Sequence, residues 1–161
     1  MTSLDTARNG DPNMADEDTG LPPRFIIGQD KERAHQRSLP LLIAGRRCFS
    51  CRQADDERPT PSSNPKQYVE RIVEHCSETS DYLLPDTPLK EAIFRVMLAA
   101  GNGEATAEQV GSILRGKWVS TAYPRDLSTG IVQRLMDQSG FYCVSRLPEP
   151  EIEADGGAED E

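Results

Sequence analysis

Residues 87–147 decide the fold of this chain, and they read TPLKEAIFRVMLAAGNGEATAEQVGSILRGKWVSTAYPRDLSTGIVQRLMDQSGFYCVSRL. Apolar residues recur every three or four positions in three segments of this stretch, a spacing typical of helices with one buried face. The third segment leads into Phe-Tyr-Cys-Val at 141–144, whose alternation predicts a strand with Phe141 and Cys143 on one face. The sequence therefore predicts a mainly α fold with a small β component.

Capping signals mark the ends of the three predicted helices. Thr87 and Pro88 open the first helix with a cap and a proline in its first turn, and Gly101 follows its last turn. A capping box at 106–109 opens the second helix, and the third begins around 126–128. The residues expected to face the core are Leu89, Ile93, Val96, Met97, Ala100, Ala107, Val110, Ile113, Leu114, Leu127, Ile131, Leu135 and Met136, with Trp118 as a large apolar anchor between helices.

Three short stretches give this part of the chain a family resemblance: Pro-Leu-Lys-Glu-Ala-Ile-Phe at 88–94, Ala-Thr-Ala-Glu-Gln-Val at 105–110, and Gly-Phe-Tyr-Cys-Val at 140–144. With them, residues 87–147 resemble the winged-helix domains typified by the N-terminal domain of the RNA polymerase delta subunit of Gram-positive bacteria. That family also carries an acidic disordered tail. The resemblance implies a winged-helix-type module, a protein partner such as RNA polymerase, and a role in transcription. A long N-terminal extension and a much shorter tail set this chain apart.

Composition divides the chain into six segments. Three prolines between residues 59 and 65 exclude a continuous helix or a central strand there. Both ends of the chain are rich in acidic residues and poor in large apolar residues. The predicted segments are a disordered acidic leader (1–20), a basic arm with a Cys-x-x-Cys knuckle (21–54), a proline-rich loop (55–64), a linking helix and connector (65–85), the winged-helix-type module (86–147) and a disordered acidic tail (148–161).

Local patterns suggest four elements before the module. Phe-Ile-Ile at 25–27 predicts a short strand or docking segment, residues 30–37 a polar helical turn, and Leu-Leu-Ile at 41–43 a strand-like segment. Asn64 and Pro65 then open a helix as N-cap and first residue. Its apolar face is formed by Tyr68, Val69, Ile72, Val73 and Cys76.

The charge and the apolar runs limit where the protein resides and what it binds. The net charge is −9, but residues 21–52 carry an excess of basic residues. A local nucleic-acid-binding surface is therefore compatible with an acidic protein. No apolar run approaches the ~20 residues of a membrane helix. The first residues lack the apolar core of a secretory signal. We therefore expect a soluble, cytoplasmic protein with reduced cysteines and no membrane partner.

The sharpest short motif is Cys48-Phe-Ser-Cys51. Two thiolates separated by two residues can reach one tetrahedral zinc ion, which needs two further ligands. His35, His75 and Cys76 are the candidates for those positions. The alternatives are two ordinary cysteines beside a loop, with Cys76 buried on the apolar face of its helix and His75 at the surface. A thioredoxin-like redox site is weaker, because the motif does not open a helix in a βαβ unit.

Basic and polar residues in two places are candidate nucleic-acid contacts. Positive charge in an accessible groove is sufficient for phosphate binding, and amide or guanidinium groups can contact base edges. The opposing interpretation is that these arginines are solvated or paired with acidic segments. The candidates are Arg46, Arg47 and Arg52 beside the cysteines, and Arg125, Gln133 and Arg134 in or near the third helix.

The motifs favour a protein that binds over one that catalyses. The sequence holds no nucleophile elbow, dinucleotide fingerprint or phosphate loop. The leading hypothesis is a non-enzymatic, transcription-associated accessory protein that binds a protein partner through its winged-helix module. The alternative is direct nucleic-acid binding by an Arg-rich zinc knuckle, and the third is a small metal or redox protein.

Overall fold

The computed structural model describes residues 21–28, 38–55, 57–120 and 125–148. The predicted acidic leader, the polar turn at 30–37 with His35, and residues 149–161 of the predicted tail lie outside the described residues. The described part is mainly helical with a small antiparallel sheet, as the sequence predicts. Its elements in chain order are β1 (Arg24–Ile27), α1 (Leu39–Ala44), α2 (Phe49–Gln53), α3 (Pro65–Glu74), α4 (Leu89–Ala99), β2 (Ala105–Thr106), α5 (Ala107–Lys117), α6 (Thr129–Asp137) and β3 (Val144–Arg146), with short 3-10 turns at Cys76–Glu78 and Gly140–Tyr142.

The sheet joins the N-terminal arm to the rest of the chain. Its order is β2-β1-β3, and β1 pairs antiparallel with both neighbours. Phe25 lies opposite Ala105 on one side, and Ile27 lies opposite Val144 on the other. Phe25 and Ile27 are buried, so the strand predicted at 25–27 is present and occupies the centre of the sheet.

The predicted caps position the helices of the module. The Thr106 hydroxyl accepts from the Gln109 amide, and the Gln109 side chain accepts from the Thr106 amide, which completes the predicted capping box. Gly101 has a φ of 87°, the left-handed conformation that favours glycine after a helix. Helix α4 begins at Leu89, with Pro88 at the N-cap position and not inside the first turn.

Two segments predicted as strands have other conformations. Leu41, Leu42 and Ile43 belong to helix α1, which is capped by Ser38 and packs on α3. Helical geometry is favoured because it buries Leu42 and Ile43 together against α3. Residues 140–142 form a 3-10 turn, and the strand starts only at Val144, where pairing with β1 begins.

The buried face of α6 also differs from the predicted one. Val132 and Met136 are buried, whereas Ile131 and Leu135 are only half-buried. Gly111 on α5 faces this part of α6, since a Cβ there would lie 3.5 Å from Cγ2 of Val132, an ordinary contact, and 3.2 Å from the Leu127 carbonyl oxygen. A side chain at residue 111 would therefore crowd the Leu127 carbonyl before it displaced Val132. Ile113, predicted to face the core, is 42% exposed.

One hydrophobic core contains residues of the arm and of the module. Phe25, Ile43, Ile72 and Phe94 are among its fully buried side chains. Trp118 is 5% exposed, and its indole N–H donates to the Leu83 carbonyl at 3.1 Å. None of the described helices is both long and apolar enough to cross a membrane.

Candidate metal centre

Four side chains meet where the arm contacts the end of α3. Cys48 is the N-cap of α2 and Cys51 lies in its first turn. His75 is the C-cap of α3, and Cys76 opens the 3-10 turn that follows. Packing of α1 on α3 brings these two segments together.

The ligand atoms of this cluster lie close enough together to hold one metal ion. The three sulfurs and one ring nitrogen all lie within 4.8 Å of one another. His75 Nδ1 is 3.4 Å from the Cys48 sulfur and 3.5 Å from the Cys51 sulfur. Metal–ligand bonds of about 2.3 Å to sulfur and about 2.0 Å to nitrogen, at tetrahedral angles, give a sulfur–nitrogen separation of about 3.5 Å. The two sulfur–nitrogen distances therefore fit a metal that His75 binds through Nδ1.

The surroundings of the cluster favour the thiolate form of Cys48 and disfavour that of Cys76. The Cys48 amide donates to the Cys76 sulfur at 3.2 Å, an outer contact that orients and stabilises this ligand. The Ser50 hydroxyl lies 3.3 Å from the Cys48 sulfur and is the main cause that lowers the pKa of Cys48 to about 6. Without a cation, burial raises the pKa of Cys76 to about 12. Metal binding at neutral pH would therefore release the Cys76 proton.

The structure unites most of the ligands proposed from the sequence. Cys48, Cys51, His75 and Cys76 form the cluster, whereas His35 lies outside the described residues. Cys76 is fully buried and also belongs to the cluster. The two predictions for this residue, burial and a candidate ligand role, are therefore compatible. His75 is exposed, as expected for a residue off the apolar face of α3 that reaches back to the knuckle.

The arginines beside the cysteines make internal contacts. Arg46 forms two hydrogen bonds to Glu91, at 2.9 and 2.7 Å. Arg47 is 6% exposed and binds both oxygens of Asp55 at 2.7 Å, and this contact lowers the pKa of Asp55. Arg52 is exposed, although its Nε–H donates to the Arg47 carbonyl.

The candidates near the third helix differ in accessibility. The Arg125 guanidinium lies 4.5 Å from the centre of the Trp118 ring and donates to the Pro85 carbonyl. Gln133 is half-buried on α6, and Arg134 is exposed. Arg134 is the single basic residue of this helix.

A polar concavity beside the metal cluster was not anticipated from the sequence. It has a volume of about 650 Å³ and lies between α2, the loop at 57–63 and α3. Arg58, Gln67 and Arg71 line it, together with His75 and Ser63. The sequence could have indicated it, because Gln67, Arg71 and His75 are spaced by four residues. Such spacing places polar side chains along one face of a helix.

Neither a family model, nor a curated protein, nor a solved structure matches this chain.

Proposed function

We propose that this chain is a non-enzymatic interaction protein in which one zinc ion fastens its N-terminal arm to the end of α3. The observation that carries this proposal is the convergence of the Cys48, Cys51 and Cys76 sulfurs and a His75 ring nitrogen, all within 4.8 Å of one another. Thiolate sulfur and imidazole nitrogen together favour zinc over magnesium or calcium, which prefer oxygen. Four protein ligands leave no open position for water, so the role is structural and not catalytic.

The local packing explains why the arm needs a metal at this place. Helix α2 spans Phe49–Gln53 and buries none of its residues. A five-residue helix without a buried face is not stable alone. Metal coordination contributes folding free energy to such segments, so the zinc ion would hold α2 against the end of α3, where Cys48 and Cys51 pack only at the edge of the core.

The arrangement after residue 88 supports a winged-helix-type interaction module. Helices α4, α5 and α6 follow in order, β2 lies between the first two, and β3 follows the third. In this proposal β1 of the arm completes the sheet in the middle position. A transcription-associated role, with RNA polymerase as the partner, follows from the sequence resemblance.

The surface of the module favours a protein partner over duplex DNA. A DNA recognition helix reads base edges through side chains near its N-terminus, and the first turn of α6 holds Thr129, Gly130 and Ile131. Arg46 and Arg47, the arginines next to Cys48, are engaged by Glu91 and Asp55. These ion pairs reduce the support for direct nucleic-acid binding by those two residues.

Elemental analysis of protein purified without chelator tests the zinc centre. We expect one zinc per chain in the wild type and a reduction of zinc affinity by at least about tenfold in His75→Ala, since each ligand contributes directly. His75 is exposed, so this variant retains its apolar core. His35→Ala, which removes the other histidine of the chain, is the matched control and should keep its zinc. No zinc above background in the wild type would refute the centre.

Co-purification from native lysate tests the partner. We expect subunits of RNA polymerase in the fraction retained by the tagged full chain, identified by mass spectrometry. A variant with Ile113→Asp and Leu84→Asp, two exposed apolar positions, shows whether retention depends on the apolar surface of the folded chain. Recovery of no polymerase subunit would refute the role in transcription and leave the zinc centre unaffected.

A further inference from the structure

Two arginines in the concavity beside the metal cluster have no described partner. Arg58 and Arg71 are exposed and line the cavity of about 650 Å³. No ion pair or hydrogen bond joins either guanidinium to a residue within the described ranges. Arg47, on the same wall, is neutralised by Asp55. Glu57 also lines the concavity, but among the described residues it forms no ion pair with Arg58 or Arg71, so two guanidinium groups there keep their hydrogen-bond donors available.

The chemistry of these groups indicates a phosphate. Guanidinium groups bind phosphate oxygens through paired hydrogen bonds, with planar geometry suited to that task. The Gln67 side chain, also in the wall, adds an amide donor. The lining is mostly polar and the cavity is open on one side, which suits an extended, charged chain more than an enclosed apolar ligand.

An exposed aromatic residue adjoins the lining of this concavity in sequence. Phe49 is 67% exposed although it is a large apolar residue, and it directly precedes Ser50 and Cys51, which line the cavity. Arg52, one turn further along α2, is also exposed. Proteins that bind single strands combine a cationic groove along the backbone with aromatic rings on which bases stack.

We propose that this concavity binds the backbone phosphates of a single-stranded nucleic acid through Arg58 and Arg71, with a base stacked on Phe49. The site rests on the proposed zinc centre, because Cys48 and Cys51 flank Phe49 and hold α2 beside α3. It differs from the arginines suggested by the sequence, since Arg58 and Arg71 replace Arg46 and Arg47 as the phosphate contacts.

Fluorescence anisotropy with labelled oligothymidine and oligouridine tests the phosphate contacts on the zinc-loaded full chain. We expect Arg58→Gln/Arg71→Gln to weaken binding by about tenfold or more and to reduce the salt dependence of log K by about 1.4, which is about 0.7 for each lost phosphate contact. Lys117→Gln, at an exposed position in the last turn of α5, is the control and should change neither. Unaltered binding in the double variant, or an equal loss in the control, would overturn the proposal.

A second pair of variants tests the stacking. Phe49→Ala should weaken binding by about 5- to 150-fold, the range for loss of one stacked base. Val119→Ala, at a position that is 80% exposed, should leave affinity unchanged. Equal affinity for a blunt duplex would overturn the assignment to single strands.

Competition experiments separate the sources of the anion. Displacement of the oligomer by inorganic phosphate at equal phosphate concentration would assign the cavity to a free phosphate and overturn the nucleic-acid proposal. Displacement by an acidic peptide of equal charge would assign it to a protein and overturn it likewise. The zinc content is measured in every variant. Wild-type protein that lacks zinc but binds through Arg58 and Arg71 would refute the metal centre alone.

Discussion

Replacement of Glu91 by glutamine tests how the arm is held on the module. Glu91 lies on α4, and its carboxylate accepts two hydrogen bonds from Arg46 of the arm. Arg95, one turn further along α4, donates to the same carboxylate at 2.8 Å. The side chains of Glu91, Arg46 and Arg95 are 15%, 20% and 25% exposed, so solvent screens this network only in part.

The pKa of Glu91 sets the expected magnitude. Burial opposes its ionisation, but hydrogen bonds from Arg46 and Arg95 outweigh burial and lower its pKa from 4.5 to about 2. That difference corresponds to about 3 kcal/mol of stability. Because the folded pKa lies below the unfolded value, this contribution is fully present above pH 4.5 and is lost as the pH falls from 4.5 towards 2.

Chemical denaturation of the wild type and Glu91→Gln across this range is the assay. We expect the variant to be less stable by about 3 kcal/mol at pH 7 and the difference to shrink steadily below pH 4.5. Protonation of the cysteines would release zinc at low pH from both proteins, so the difference between them isolates Glu91. Glu70→Gln, at an exposed position on α3, is the control. A difference that stays constant down to pH 2.5 would refute the electrostatic account.

Two further changes test the packing of the module. Trp118→Ala should lower the free energy of unfolding by about 3–5 kcal/mol, because a buried aromatic ring and its bond to Leu83 are lost; circular dichroism during denaturation measures this, and a loss no larger than that of Val119→Ala would contradict it. Gly101→Ala should cost about 1–2 kcal/mol, because an alanine at a φ of 87° is strained. Thermal denaturation compares it with Gly103→Ala, where a Cβ meets open space, and equal effects would exclude backbone strain as the cause.

The helices with clear ends could be predicted from the sequence. Asn64 and Thr106 cap their helices as expected, since capping depends on residues close in the chain. Helix α1 could not be distinguished from a strand, because six mostly apolar residues carry no usable period. Its conformation depends on packing against α3, which the local sequence does not encode.

Only two of the four residues in the metal cluster could be predicted from the sequence without alternatives. Cys48 and Cys51 form a recognisable pair, but the choice among three distant partners depends on where α3 ends. Packing of α1 on α3 brings His75 and Cys76 to the pair. The arginines were still harder to interpret, since the ion pair of Arg46 joins residues 45 positions apart. The sequence shows that these residues are positively charged. Only the fold shows that Arg46 and Arg47 are paired with Glu91 and Asp55.

The core and the proposed metal act on different parts of the arm. Strand β1 buries Phe25 and Ile27 in the middle of the sheet, and α1 buries Leu42 and Ile43 in the same core. These segments are therefore held by apolar burial, which needs no cation. Helix α2 has no buried residue, and Cys48 and Cys51 only pack against the edge of the core. The proposed metal would link these two residues to the buried Cys76, next to Arg58 and Arg71 of the concavity, so binding of zinc would order the surface on which a single strand is proposed to lie.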